Sequence, residues 1–300
     1  MTTVTQAVPA CRALLEGAID YAGLYPPASL GMADAAHNYL GYALGSDAWA
    51  LGRFVVPVSQ LGNLRQVAME LAGSDRLEWR LSVVTGPSLA DDVGQLETFL
   101  RGAPPGWTID AIEARASSPD AIVELDAIRE YARLMYVELP LTSEFDATAR
   151  AVASHGAYVK IRTGGVVESA FPSPSQLADA IVTCSAIPVG FKATAGLHHP
   201  IRGPYPMTYA LDADVGVMFG YVNLLLAAAA ARSGEAPDVV ARILDERSAA
   251  AFSFGDDHVG WRGSRFTVAD VRALRLALLH GFGSCSFREP LDEFAVLGGR

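Results

Sequence analysis

Lysine is almost missing from this 300-residue chain: of its 23 lysines and arginines only Lys160 and Lys192 are lysine. Positive charge of any kind is in short supply. Thirty-three acidic residues leave a formal net charge of −10, which argues against nucleic acid or an anionic membrane as partner, since neither offers counter-charge to an acidic surface. Cysteine is scarce as well. Cys11, Cys184 and Cys285 are odd in number and far apart, so reduced thiols in a cytoplasmic protein are expected, and no CxxC pair calls for zinc or redox work. No basic segment leading into an apolar run opens "MTTVTQAVPACRALLEG", so a signal peptide is not expected. Long hydrophobic runs are lacking too. The most apolar stretch, 216–231 ("GVMFGYVNLLLAAAAA"), carries Asn223 and is shorter than the roughly 20 residues of a spanning helix. A buried or interface helix is the expectation there.

What the chain does have is rhythm. Short apolar runs recur at 17–24, 52–58, 80–86, 107–115, 134–140, 157–164, 187–196 and 281–287. Each of the first seven is followed by a segment of helical character. In 118–132, Ile122, Leu125, Ile128 and Ala132 repeat at helix spacing behind Ser118-Pro119. In 173–186, Ser173 is a candidate N-cap with Pro174 at the first helical position and Gln176 closing a capping box. Seven strand–helix units, a final strand and a short helix ("REPLDEFAVLGG") predict a single α/β domain over 1–300, a (β/α)8 TIM barrel.

One interval breaks the rhythm. Lys192 and Ser284 lie 92 residues apart, roughly three times a normal strand–helix repeat. The enlarged segment between strands seven and eight, at about 200–265, is read as an insertion on the active-site face, either a lid or specificity element or an oligomer contact through the Ala/Leu-rich helix.

Both lysines fall at the carboxyl ends of neighbouring strands, six and seven, where catalytic side chains of such barrels emerge. Where a cation serves solubility alone this chain uses arginine, and arginine cannot act as an amine nucleophile. Lysine can, once its ordinary pKa of about 10.4 is brought down by roughly 3 units. Burial in a barrel mouth and a second cation nearby both act in that direction. The opposing reading is a pair of ordinary ion pairs inside the barrel.

Taken together, "YVKIRTGG" and "GFKATAGLHHPIR" resemble the strand-six and strand-seven motifs of the deoxyribose-phosphate aldolases, class I Schiff-base enzymes of this fold. "AIDYAGLYPP", "TIDAIEAR", "YVELP" and "GFGSCSF" are similar to the family's strands one, four, five and eight. The resemblance implies Lys160 as the Schiff-base residue, Lys192 as the cation that tunes it, and Asp110 and Asp20 as proton-relay carboxylates, with no cofactor or metal. It also implies a small-molecule carbonyl substrate. Near the strand ends, Glu138 and Glu113 are placed either to buffer the lysine charges or to bind that substrate, Arg162 to meet a carboxylate or phosphate, and His198 and Gly196 are further candidate contacts. At strand eight, Gly283, Ser284 and Ser286 form a candidate anion cradle. The chain departs from the family at Gly165, where a basic residue is usual, and at Ala195-Gly196-Leu197-His198, both on the phosphate side. It therefore reads as a divergent relative with a different substrate in carbohydrate or oxo-acid metabolism.

The pair His198-His199 offers imidazoles for metal or proton transfer, with Glu138, Glu113 or His280 as conceivable co-ligands. Adjacent residues of an extended segment point to opposite sides, so a substrate contact or proton transfer by one of them is the stronger expectation. Cys285 reads as a buried thiol. Two other functions stay open at this point: an acid/base or metal-dependent sugar isomerase or epimerase using Glu138, His198 and Glu113, and a non-catalytic barrel that binds a ligand or partner through 200–265.

Overall fold

The computed structural model describes residues 9–71 and 78–298. Part of the N-terminal segment read for a targeting signal, 1–8, lies outside them. Eight parallel strands close into a barrel: β1 (Ile19–Tyr21), β2 (Leu51–Pro57), β3 (Trp79–Val84), β4 (Trp107–Arg115), β5 (Leu134–Glu138), β6 (Tyr158–Arg162), β7 (Phe191–Thr194) and, after the insertion, β13 (Leu279–Ser284). This is a (β/α)8 TIM barrel. Its strands coincide with the eight apolar runs, because a strand covered by helices outside and packed side chains inside has little room for polar residues.

The covering helices form where their start signals stand. Ser173 caps α8 (Pro174–Ala186): its hydroxyl accepts from Gln176 N–H at 3.2 Å, and the Gln176 side chain returns to the Ser173 N–H at 2.9 Å. The helix expected over 118–132 is instead two short pieces, α5 (Pro119–Glu124) and α6 (Asp126–Arg129). Here Leu125, Ile128 and Tyr131 each donate to the carbonyl three residues back, at 3.1, 3.1 and 3.3 Å. Ile122, Leu125 and Ile128 are spaced by three, the period of a 3₁₀ turn, so this tighter coil keeps all three on the buried side.

The interval between β7 and β13 resolves into a hairpin of β8 (Gly203–Pro206) and β9 (Val215–Met218), two helices, α9 (Tyr221–Arg232) and α10 (Pro237–Asp245), and a three-stranded sheet of β10 (Phe252–Phe254), β11 (His258–Trp261) and β12 (Ser264–Thr267). The Ala/Leu-rich helix is not left facing outward. Every residue of α9 from Tyr221 to Ala231 is buried by the chain itself, against α8, α10 and α11 (Val268–Ala277), so it offers no face to a second copy. Among the described residues no helix is long and apolar enough to cross a membrane.

Asn223, the buried amide of that helix, is fully satisfied. Its Nδ2 donates to the carbonyls of Ile243 and Glu246, both at 2.8 Å, and its Oδ1 accepts from Arg202 N–H at 2.9 Å. It thereby ties the loop after β7 to the end of α10. Asn223→Ala takes the partner from Arg202 N–H and from the Glu246 carbonyl, while the Ile243 carbonyl keeps its bond from Glu246 N–H, and a loss of about 2–4 kcal/mol in denaturant unfolding is expected.

Candidate functional site

The site is built from one row of in-register residues. Arg115 on β4 pairs with Glu138 on β5, Glu138 with Lys160 on β6, and Lys160 with Lys192 on β7. One strand position connects four charged groups. Glu113, two residues before Arg115, rises between the lysines. Lys192 Nζ donates to Glu113 Oε1 at 2.5 Å, and Lys160 Nζ lies 2.8 Å from Glu113 Oε2. The Ser82 hydroxyl on β3 also donates to Oε1, at 2.6 Å. Glu113 is thus a fully buried carboxylate shared by two ammonium groups.

The two lysines are held differently. Lys192 is gripped on its other side by Asp20 Oδ2 at 2.5 Å, and its side chain is 2% exposed. Gly52 makes room for this, since a Cβ there would stand 2.2 Å from Asp20 Oδ1. Asp20 Oδ1 also accepts from Arg53 N–H at 2.6 Å. Lys160 has looser ties. It lies 2.9 Å from Glu138 Oε2, an ion pair by distance, yet that oxygen accepts no hydrogen bond of good angle.

Charge follows geometry. Burial alone would raise the Glu113 carboxyl, but Lys160 and Lys192 outweigh it and hold the group well below the ordinary carboxylate range. Burial would likewise raise Glu138, and Lys160 with Arg162 and Arg115 brings it down. For Lys192, desolvation favours the neutral amine, but the carboxylates of Asp20 and Glu113 prevail and its pKa is raised. The expected pair of mutually repelling amines is in fact a cation–carboxylate–cation bridge.

Over this bridge lies a cavity of about 270 Å3. Lys160, Lys192 and Glu113 form part of its wall, with Tyr25 and Pro26 from the loop after β1 and Met207 and Met218 from the insertion. The β8–β9 hairpin therefore closes one side of the cavity, the position expected for a lid. Arg162, His198, Gly196 and Gly283, all singled out from sequence, line it as well. Gly196 (φ +72°) follows Ala195 (φ +68°) in a left-handed turn. Thr163, two places after Ile161 in the strand-six motif, donates from its hydroxyl to the Ala195 carbonyl at 2.6 Å. The two lysine motifs are physically one clasp.

Five expected site residues do not line the cavity: Asp20 and Glu138 stand behind the lysines as their ion-pair partners, and Asp110, Ser284 and Ser286 are used elsewhere. Asp110 accepts from Arg80 Nε and Nη2 at 2.8 and 2.6 Å and lies 3.5 Å from Arg53, and it is not part of the cavity wall. The cause is a bulge in β4: Leu81 pairs with Ile109 but Ser82 with Ala111, which leaves Asp110 as the extra residue. Asp110 is spent on a lower layer of arginines, and Glu113 takes the place beside the lysines. Ser286 Oγ accepts from Glu289 N–H at 3.1 Å at the start of α12 (Arg288–Gly298), and Ser284 Oγ accepts from Ser286 N–H at 3.4 Å. Those hydroxyls fasten a helix start and do not line the cavity.

The histidines diverge as alternation requires. His198 faces the cavity with Nδ1 3.2 Å from Glu289 Oε2 and its ring 3.9 Å from Cys285 Sγ. Burial would lower it, but Cys285 and Glu289 dominate and lift it to about 9. His199 turns away, stacks on Tyr205 at 3.5 Å and meets Glu293 at 2.8 Å. His280 sits with Tyr136 (2.9 Å) and takes no part with either. A metal set of His198 or His199 with Glu113, Glu138 or His280 is not assembled. The described residues do bring one ligand atom each of His199, Glu289 and Glu293 within 4.8 Å of one another. All three cysteines are buried free thiols.

Sequence reading passed over Arg115, Tyr25 and Ser82. Arg115 had a signal, as it closes the strand-four motif in the same register row as Glu138. Tyr25 and Ser82 had none, since their roles depend on which strands become neighbours. Fold and site together define a TIM barrel with a lysine–glutamate–lysine centre. Comparison with protein-family models, curated proteins and solved structures gives no match.

Proposed function

We propose that this barrel is a Schiff-base lyase of the class I aldolase type, making or breaking a carbon–carbon bond in a small aldehyde or ketone. The observation that carries the reading is the buried Glu113 carboxylate bridging two lysines in register on adjacent strands, at the wall of a cavity. In a chain that otherwise uses arginine, two amines at one such place have a chemical use. The resemblance of both lysine motifs to deoxyribose-phosphate aldolases supports the same reading.

Lys160 is the nucleophile in this scheme. It lines the cavity and is less tightly held than Lys192, whose two short hydrogen bonds keep it a fixed cation. Lys160 gives one proton to Glu138 Oε2, 2.9 Å away, and adds through the freed lone pair to the carbonyl carbon; a second amine proton passes to the carbonyl oxygen to give a carbinolamine, whose hydroxyl then takes back the proton held by Glu138. Loss of water leaves an iminium, whose positive charge replaces that of the resting ammonium beside Glu113 and Glu138. The hydroxyl on the carbon beyond the scissile bond then gives up its proton, that fragment leaves as an aldehyde or ketone, and the iminium accepts the electron pair of the breaking carbon–carbon bond. The resulting enamine is protonated on carbon, and water hydrolyses the imine to free product and Lys160. His198, lifted to about 9 and part of the cavity wall, serves as a proton donor in this scheme. Asp20 acts by fixing Lys192. An isomerase working through Glu138, His198 and Glu113 has less support, because both Glu113 oxygens are already engaged by lysines. Three unpaired buried thiols favour a reducing, cytoplasmic setting.

The test is borohydride reduction in the presence of a panel of aldehydes and ketones, followed by peptide mass mapping. A stable adduct on Lys160 is expected. An adduct on Lys192 alone, or none with any carbonyl, overturns the assignment.

A further inference from the structure

Arg115 and Arg162 stand at the rim of the cavity, one on each side of Glu138. Arg162 Nε lies 3.3 Å and Arg115 Nε 3.5 Å from the same oxygen, Glu138 Oε1, while Lys160 takes Oε2. One carboxylate therefore faces three cations. The cavity wall itself carries five cationic side chains, Arg115, Lys160, Arg162, Lys192 and His198, against Glu113 as its one carboxylate, in a protein whose net charge is −10. Both arginines keep much of their side chains open, 72% and 44% exposed, so donors remain free for a ligand.

A neutral donor completes the group. The Tyr25 hydroxyl is buried in the same wall and has no hydrogen-bond partner among the described residues. Glu113 and Arg115 are the charged groups acting on it. A buried hydroxyl without a partner is a costly arrangement, and a ligand oxygen placed between Tyr25 and the arginines would satisfy it.

We infer that Arg115, Arg162 and Tyr25 form a subsite for a carboxylate, and that the substrate is a short-chain oxo acid. This rests on the Schiff-base reading for the fate of the carbonyl, but not for the binding of the acid. Because both arginines and Lys160 touch the two oxygens of one carboxylate, the acid group lies close to the carbonyl carbon. A planar carboxylate suits paired guanidiniums. Phosphate is less well served: the strand-eight serines that would receive it, Ser284 and Ser286, do not line the cavity.

The experiment has two arms on the full chain. In the first, calorimetry measures binding of hydroxy-acid analogues of pyruvate, acetoacetate and 4-oxopentanoate, which lack the carbonyl, to wild type and to Arg115→Gln, Arg162→Gln and the double variant. Millimolar or tighter binding to wild type is expected, weakened about tenfold or more by each substitution. Glycerol 3-phosphate binding better than every hydroxy acid, or hydroxy acids binding wild type and double variant alike, overturns the subsite. In the second, borohydride trapping compares each oxo acid with its methyl ester. Wild type should prefer the acid, and the ratio should fall about tenfold or more in Arg115→Gln/Arg162→Gln, checked for folding by its melting temperature. A ratio at or below one in wild type, or one unchanged in the variant, refutes it. Hydroxy-acid binding without any Lys160 adduct sinks the Schiff-base reading and leaves the carboxylate subsite standing.

Discussion

Lys160→Arg is expected to lose the trapped adduct and to lower turnover by on the order of 10^4-fold or more, the scale of removing a covalent nucleophile. Arginine retains the positive charge beside Glu113 and Glu138, so the electrostatic frame of the site persists. It cannot form the imine, because its guanidinium does not give up its proton at accessible pH. Charge and nucleophilicity, joined in lysine, are thereby separated. Lys160→Met removes both and should be equally inactive, with lower stability because Glu138 and Glu113 each lose a partner. Turnover and mass-mapped trapping check the pair. Retention of more than a tenth of wild-type turnover by Lys160→Arg would move the chemistry to another residue, with Lys192 the first to test.

The largest structural effect should come from Glu113→Leu, which leaves Lys160 and Lys192 facing each other in a buried setting without the carboxylate between them. Removing one partner of a buried ion pair typically costs about 3–5 kcal/mol, and here one carboxylate serves two cations. Unfolding in denaturant should show a loss of at least that size. The same substitution in a Lys192→Met background should cost clearly less, because one of the stranded charges is gone. Equal costs in both backgrounds would mean that the bridge is not a coupled unit.

The wild-type bridge also fixes a pH response. Glu113 and Glu138 are held below their unfolded values, so their contribution is present above the ordinary glutamate pKa of about 4.3 and is lost as pH falls below it. Lys192 is held above its unfolded value. Its contribution is complete below about pH 10.4 and is lost as pH rises past that point.

How much of this was readable in advance depended on distance along the chain. The barrel was legible because its signals are local. Apolar runs, helix starts such as Ser173-Pro174 and a regular interval between units all act within a few dozen residues. The lysines were legible through scarcity, since two exceptions to a habit stand out wherever they fold. Asp110 and Glu113 show the limit. Both are acids near the end of one strand, and which of them meets the lysines was settled by a bulge visible only in the pairing of β4 with β3. His198 and His199 show a partial success: alternation sends them to opposite sides, but which one faces the cavity depends on packing against α12.

The Ala/Leu-rich helix makes the same point for surfaces. Its composition demands burial, which residues 221–231 obtain, yet composition cannot say whether the cover is another chain or this one. Thus the sequence alone determined the eight-fold alternation, the place of the long interruption, and the two amines on neighbouring strands, because each follows from spacing and residue type. Only the tertiary structure decided that a glutamate joins those amines and that two arginines and a tyrosine surround the opening. Those outcomes are contacts between segments tens to more than a hundred residues apart, and their partners are chosen by barrel register and strand irregularity, which no local pattern encodes.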